Sequence, residues 1–171
     1  DIADYLGSAK VDNNGKVIEE NRSAHQWRRV KYSYMDCRRL ANLTGKTILG
    51  TQKIWDTRLV SHLMIWAKEN AKSELVPLIQ YVFERFWKRE LNVEKEETME
   101  MILKEFNLDY KAFLSWKKKN GKESLDKIMG KALERGIFGV PTYVYEDEIF
   151  WGRENLSIIR GRVTGDYKNV I

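Results

Sequence analysis

Apolar positions recur at helical intervals along most of this chain and alternate, as in strands, only near its end. Trp27, Val30, Tyr34, Cys37, Ala41 and Thr44 stand three or four residues apart and predict a helix over 25–44, stopped by Gly45. Asp56 is a candidate N-cap for a second helix with Leu59, Leu63, Trp66 and Ala67 on its apolar stripe. A third begins near Glu74 with Pro77 in its first turn, and Leu75, Leu78, Ile79, Val82, Phe83, Phe86 and Trp87 give it a broad apolar face. Helices near 95–106, 109–119 and 122–135 follow, the last ended by Gly136. Strands are expected at about 142–146 and 149–151, joined through Asp147, and a final helix over about 154–163. Residues 1–24 are polar, carry the turn signal Asp12-Asn13-Asn14-Gly15 and show no helical period. Two short strands do not make a stable sheet alone, and no earlier segment offers a strong partner strand.

The 171 residues suit one compact domain or one and a half, and 43% hydrophobic content is enough for a core. The formal charge of +5 arises against 25 acidic residues, so the basic excess is diffuse and weak evidence for nucleic acid. Lys117-Lys118-Lys119 and Arg28-Arg29 are accordingly read as solvated helix faces, and no nucleic-acid partner is expected. No run of eighteen apolar residues is present, so no membrane span is expected. The first residues lack a signal-peptide pattern, and one cysteine allows no intrachain disulfide; a reducing cytoplasm is the default. One cysteine and two distant histidines, His25 and His62, offer no metal-ligand spacing. Both histidines are read as structural, and Cys37 as a small buried side chain rather than a reactive thiol.

The richest stretch is Gly136-Ile-Phe-Gly-Val-Pro-Thr-Tyr143, followed by Phe150-Trp-Gly-Arg-Glu-Asn-Leu156. It resembles the 2-hydroxychromene-2-carboxylate isomerase family, close to kappa-class glutathione transferases in the DsbA-like thioredoxin superfamily. That family has Gly-(Val/Ala)-Phe-Gly-Val-Pro-Thr-Phe before a hairpin and Phe-Trp-Gly-(Gln/Ser)-Asp-Arg-Leu after it. Phe83-Glu-Arg-Phe-Trp-Lys-Arg-Glu-Leu-Asn-Val93 and Trp27-Arg-Arg-Val-Lys-Tyr-Ser-Tyr-Met-Asp-Cys37 resemble two of its helical segments. The resemblance covers about residues 20–165.

It implies an α/β, DsbA-like thioredoxin fold with a large inserted helical domain. Residues 1–24 would be a linker, 25–135 the helical domain and 136–171 the β-β-α half of the thioredoxin domain. Family members open with a strand, a loop bearing Ser-Pro-x-Ser or Cys-x-x-Cys, a helix and a second strand. The resemblance places these before Asp1, so the chain is expected to be a piece of a longer protein, mostly α and inert alone, with no catalytic residue of its own. It implies glutathione as cofactor, lying beside a cis-proline, Pro141, with its cysteinyl unit on the backbone of Val140. The γ-glutamyl carboxylate falls to Arg153 and the ammonium to Glu154, where most members have Asp. Arg29, with Arg28 adjacent, matches the basic residue that holds the glycine carboxylate, and Asn21 is a loose match for a family asparagine. Trp55, Trp66 and Phe86 are candidate walls of a site for a small aromatic or enone substrate. A homodimer is common in the family. The implied function is a glutathione-dependent isomerase or transferase. The alternatives are a DsbA-like thiol–disulfide oxidoreductase, or a non-catalytic binding module lacking the active site.

Overall fold

The turn signal at Asp12–Gly15 closes a hairpin between β1 (Ala9–Val11) and β2 (Val17–Glu20) in the computed structural model, which describes residues 9–167. Asp12 Oδ1 accepts from the backbone N–H groups of Asn14 and Lys16 at 2.8 and 2.9 Å, an Asx-type turn, and Gly15 takes φ +76°. The polar, turn-rich segment before residue 24, expected to be a linker, thus carries a short hairpin; its first eight positions lie outside the described residues. Strands of three and four residues, broken by a register shift between Lys10 and Val11, are too short to show alternation in sequence. Gly15 also receives a hydrogen bond from Ile54 N–H at 3.0 Å, and a Cβ there would collide with the Ile54 carbonyl oxygen. Gly15→Ala is expected to release this contact and cost about 1–3 kcal/mol. Amide exchange at Ile54 checks it, and unchanged protection would count against the contact.

The chain divides into two compact units after Lys122. In the first, Ser23 opens helix α1 (Ala24–Leu43) with a capping box, its hydroxyl accepting from Gln26 N–H while Gln26 Oε1 accepts from Ser23 N–H. Helix α2 (Arg58–Asn70) has Thr57, not Asp56, at its cap position. The Asp56 carboxylate instead accepts from the backbone and guanidinium of Arg58, which holds its pKa below the usual carboxylate range. Helix α3 (Leu75–Trp87) keeps Pro77 in its first turn, where the missing N–H is no loss. Helices α4 (Glu96–Glu105) and α5 (Tyr110–Trp116) follow, the latter capped by Asp109.

A π-helical turn, Lys117–Gly121, continues α5, and Gly121 packs against the His62 ring; a Cβ there would lie 3.4 Å from it. Leu63, Leu78, Met99, Ile102, Leu103 and Phe113 are fully buried at the centre of this unit. Trp66 is buried among them, so it is core rather than a pocket wall, while Trp55 and Phe86 meet edge-on at 5.6 Å on the rim. On α1 the expected stripe is largely uncovered. Cys37 is exposed, contrary to its reading as a buried side chain, and Ala41 is the buried residue of that helix. Spacing places Cys37 on one face of α1 but does not determine what covers that face.

The coil at 44–57 carries no regular structure but is tied down along its length. Arg38 Nε donates to Ile48 O at 3.2 Å, and Leu49 N–H to Trp87 O at 3.0 Å. Arg89 reaches the carbonyls of Leu49 and Gly50 at 2.9 and 3.2 Å. Glu94 accepts from Asp56 N–H at 2.8 Å and Lys53 Nζ at 2.5 Å, and that ammonium lies 4.6 Å from the Trp55 ring centre.

In the second unit, α6 (Lys122–Glu134, its first residue at the division) ends in a Schellman motif. Gly136 N–H donates to Leu133 O and Ile137 N–H to Ala132 O, with Gly136 at φ +73°. Strands β3 (Thr142–Tyr145) and β4 (Glu148–Trp151) pair antiparallel, from Thr142 opposite Trp151 to Tyr145 opposite Glu148. Glu146 and Asp147, both at positive φ, make the two-residue turn between them. A 3₁₀ turn (Arg153–Asn155) leads into α7 (Leu156–Thr164), whose Arg162 pairs with Glu148 and lies 5.2 Å from the Phe150 ring centre. Among the described residues β1–β2 and β3–β4 are separate two-stranded sheets. No described helix is long and apolar enough to cross a membrane.

Candidate functional site

The residues that close the second unit converge on Trp151. Phe138 tilts against its indole with ring centres 5.2 Å apart, and Gly139 lies so near that a Cβ would stand 2.6 Å from Nε1. Asn155 Nδ2 donates to Trp151 O at 2.6 Å, and Thr142 Oγ1 donates to Gly139 O at 2.6 Å. Gly139 therefore has to be small, and the loop before β3 is fixed against the end of β4.

The Val140–Pro141 peptide bond is cis. Pro141 O accepts from Gly152 N–H at 2.9 Å, which ties the proline to the start of the 3₁₀ turn. Between these anchored neighbours Val140 stands out, with 88% of its surface exposed. Among the described residues its N–H and C=O have no hydrogen-bond partner. A main-chain donor and acceptor held side by side in open solvent can receive another extended chain.

Gly152 adopts φ +97° and ψ 153°, a conformation essentially confined to glycine, and the Glu154 carboxylate folds back over it. Both Arg153 and Glu154 are exposed. The acid thus sits at the N-terminal end of the 3₁₀ turn and α7, where helix N–H groups favour negative charge. A carboxylate so placed can accept from an ammonium, and the adjoining N–H groups can hold a carboxylate. At the far end of the hairpin, Glu146 beside Tyr145 raises the phenol above its usual range.

Val140, Pro141, Arg153 and Glu154 all lie in the second unit, and the Pro141–Gly152 bond joins the two pairs. Arg29 belongs to the first unit, exposed on α1 beside His25, Arg28, Tyr32 and Ser33. Asn21 is exposed just before that helix. Lys117 is paired with Glu96, and His62 lies half-buried against Gly121. Sequence reasoning did not single out Trp151, Gly139 or Asn155 as parts of this site. The signal was a Trp-Gly pair one strand beyond a Gly-Val-Pro loop, which aligned strands bring together.

Comparison with known proteins gives three findings. A 2-hydroxychromene-2-carboxylate isomerase from Pseudomonas putida is 27% identical over 90 residues, which are 52% of this chain and 44% of that protein. A solved structure of a 2-hydroxychromene-2-carboxylate isomerase superposes with a TM-score of 0.68 at 23% identity, over 78% of this chain and 65% of that one, and shows likeness of fold. The chain therefore spans less than two thirds of either relative. The family model of the DSBA-like thioredoxin domain matches residues 6–163. With nearly the whole described structure inside that match, the chain belongs to the DsbA-like thioredoxin domain family.

Proposed function

We propose that the second unit binds glutathione, and that the protein works as a glutathione-dependent isomerase or transferase of the 2-hydroxychromene-2-carboxylate isomerase type on an aromatic or enone substrate. The observation that carries this is Val140, whose main-chain N–H and C=O are open while Pro141 and Thr142 on one side and Gly139 on the other are anchored. The cysteinyl unit of glutathione pairs with that backbone, as an added strand does. Glu154 accepts from the γ-glutamyl ammonium, and the N–H groups at Arg153 hold the neighbouring carboxylate. Arg29 is the candidate for the glycine carboxylate by family resemblance. The names of two relatives support the reaction class.

Recognition through the main chain makes a sharp prediction. Val140→Ala is expected to keep glutathione affinity within about twofold, because the side chain projects into solvent. The check is a glutathione titration of both proteins followed by amide shifts. Saturable shifts are expected at Val140, Thr142 and Gly152–Glu154. A titration without them overturns the proposal.

The family-level match supports a second reading, a thiol–disulfide oxidoreductase that receives any extended cysteinyl peptide at Val140. The dipeptide Cys-Gly separates the two. Glutathione binds better if Glu154 and Arg153 read the γ-glutamyl group, and no better if the backbone of Val140 is the whole site.

A further inference from the structure

Two large aromatic rings stand half in solvent beside the open backbone of Val140. Trp151 is 50% exposed and Phe138 57%, and their ring centres lie 5.2 Å apart at an interplanar angle of 54°. Single exposed apolar residues are ordinary on a surface, but here two rings make one continuous patch. Both are carried on anchored backbone. Trp151 ends β4 opposite Thr142, and Asn155 Nδ2 holds its carbonyl at 2.6 Å. Phe138 precedes Gly139, whose carbonyl accepts from Thr142 Oγ1 at 2.6 Å. The indole touches Gly139, the immediate neighbour of Val140, so the patch and the open main-chain pair adjoin.

The indole also carries an unused donor. Among the described residues Trp151 Nε1–H has no hydrogen-bond partner. A Cβ on residue 139 would stand 2.6 Å from Nε1 and cover that N–H, whereas glycine leaves it uncovered. A tryptophan held in this way offers apolar ring surface and a single donor at once, and loses little conformational freedom when a ligand meets it.

We infer that Phe138 and Trp151 form the wall against which an aromatic group carried on the sulfur of glutathione packs, with the indole N–H donating to an oxygen on that group. The inference rests on the glutathione reading and adds to it the residues that select the substrate and the kind of ring they select. Val140 takes the peptide part of the ligand through its main chain, and the adjoining patch takes the ring. A flat ring bearing a carbonyl, carboxylate or phenolic oxygen satisfies both the aromatic surface and the donor. An aliphatic substituent covers less of the patch and leaves the donor unmatched.

The test is a titration of the full chain with S-methyl-, S-benzyl- and S-phenacylglutathione, followed by amide and indole N–H shifts. The three share one peptide, so the ratio of affinities within one protein isolates the substituent. The benzyl thioether is expected to bind about three- to tenfold more tightly than the methyl one, the worth of a ring contact, and to shift the Trp151 indole N–H and Gly139. The phenacyl thioether, whose ketone can accept from Nε1–H, is expected to bind about two- to tenfold more tightly again. In Phe138→Leu the benzyl-to-methyl ratio should fall to within about twofold of one. Trp151→Phe keeps a ring but no donor, so there the phenacyl-to-benzyl ratio should fall in the same way. A variant that only loosens the loop lowers all three affinities together, and unchanged ratios in both variants would overturn the wall. Equal binding of the methyl and benzyl thioethers to the unaltered chain, with saturable shifts at Val140, would overturn the wall and leave the glutathione reading standing. Absence of saturable binding by S-methylglutathione and glutathione alike would overturn that reading, and the wall with it.

Discussion

Phe113→Ala is expected to destabilise the first unit by about 3–5 kcal/mol. The ring is fully buried, lies edge-on to Trp66 with centres 5.9 Å apart, and touches Tyr110 at 6.3 Å. Its removal takes away apolar burial and the aromatic pair geometry, and leaves a cavity among Leu63, Met99 and Leu103. Domains of this size hold about 5–15 kcal/mol in total, so the variant would stand near its unfolding limit. Urea unfolding followed by tryptophan fluorescence reads the effect as a lower midpoint at an unchanged slope. A loss below about 1 kcal/mol would mean that the core collapses around the smaller side chain.

Gly152→Ala should do more to binding than its size indicates. At φ +97° and ψ 153° an alanine is strained by about 1–3 kcal/mol. The added methyl would also meet the Glu154 carboxylate. That carboxylate is the free end of a flexible side chain, so the clash itself is cheap to relieve. Relief swings the acid away from the N-terminal end of α7, and relaxation of the strain loosens the bond from Gly152 N–H to Pro141 O. The expected result is a lower Tm together with glutathione affinity weaker by about tenfold, the worth of one charge-assisted hydrogen bond. Unchanged affinity in a folded Gly152→Ala protein would remove Glu154 from the site.

The second unit was legible because its punctuation is local. Gly136 ends a helix by a motif that only its φ allows, Glu146-Asp147 sits between two apolar runs of strand length, and the Gly-Val-Pro and Trp-Gly pairs occupy facing ends. The helices of the first unit were legible from spacing to within a few residues. Beyond that, the interactions are long-range. Asp56 had the chemistry of a cap, but the neighbouring Arg58 guanidinium took its carboxylate, leaving Thr57 at the boundary. The π turn at Lys117–Gly121 has no sequence period distinguishable from α over five residues. Cys37 lies exposed because a stripe names a face and not its neighbour, whereas Trp66 is buried, as its place on the apolar stripe of α2 implied. The site residue Val140 was read from resemblance. Its open backbone is a property of what surrounds it, which composition does not encode.

The coil at 44–57 has a consequence for how this protein can change in length. Surface loops usually accept inserted residues, since each doubling of loop length costs only about 0.6 kcal/mol in closure entropy. Here carbonyls and N–H groups from Ile48 to Asp56 are anchored to Arg38 of α1, to Trp87 at the end of α3 and Arg89 beyond it, to Glu94 and to the β1–β2 turn. An added residue between any two anchors would have to bulge outward or break one of them. This stretch is therefore a fixed-length brace, and natural or engineered variation in length belongs elsewhere in the chain.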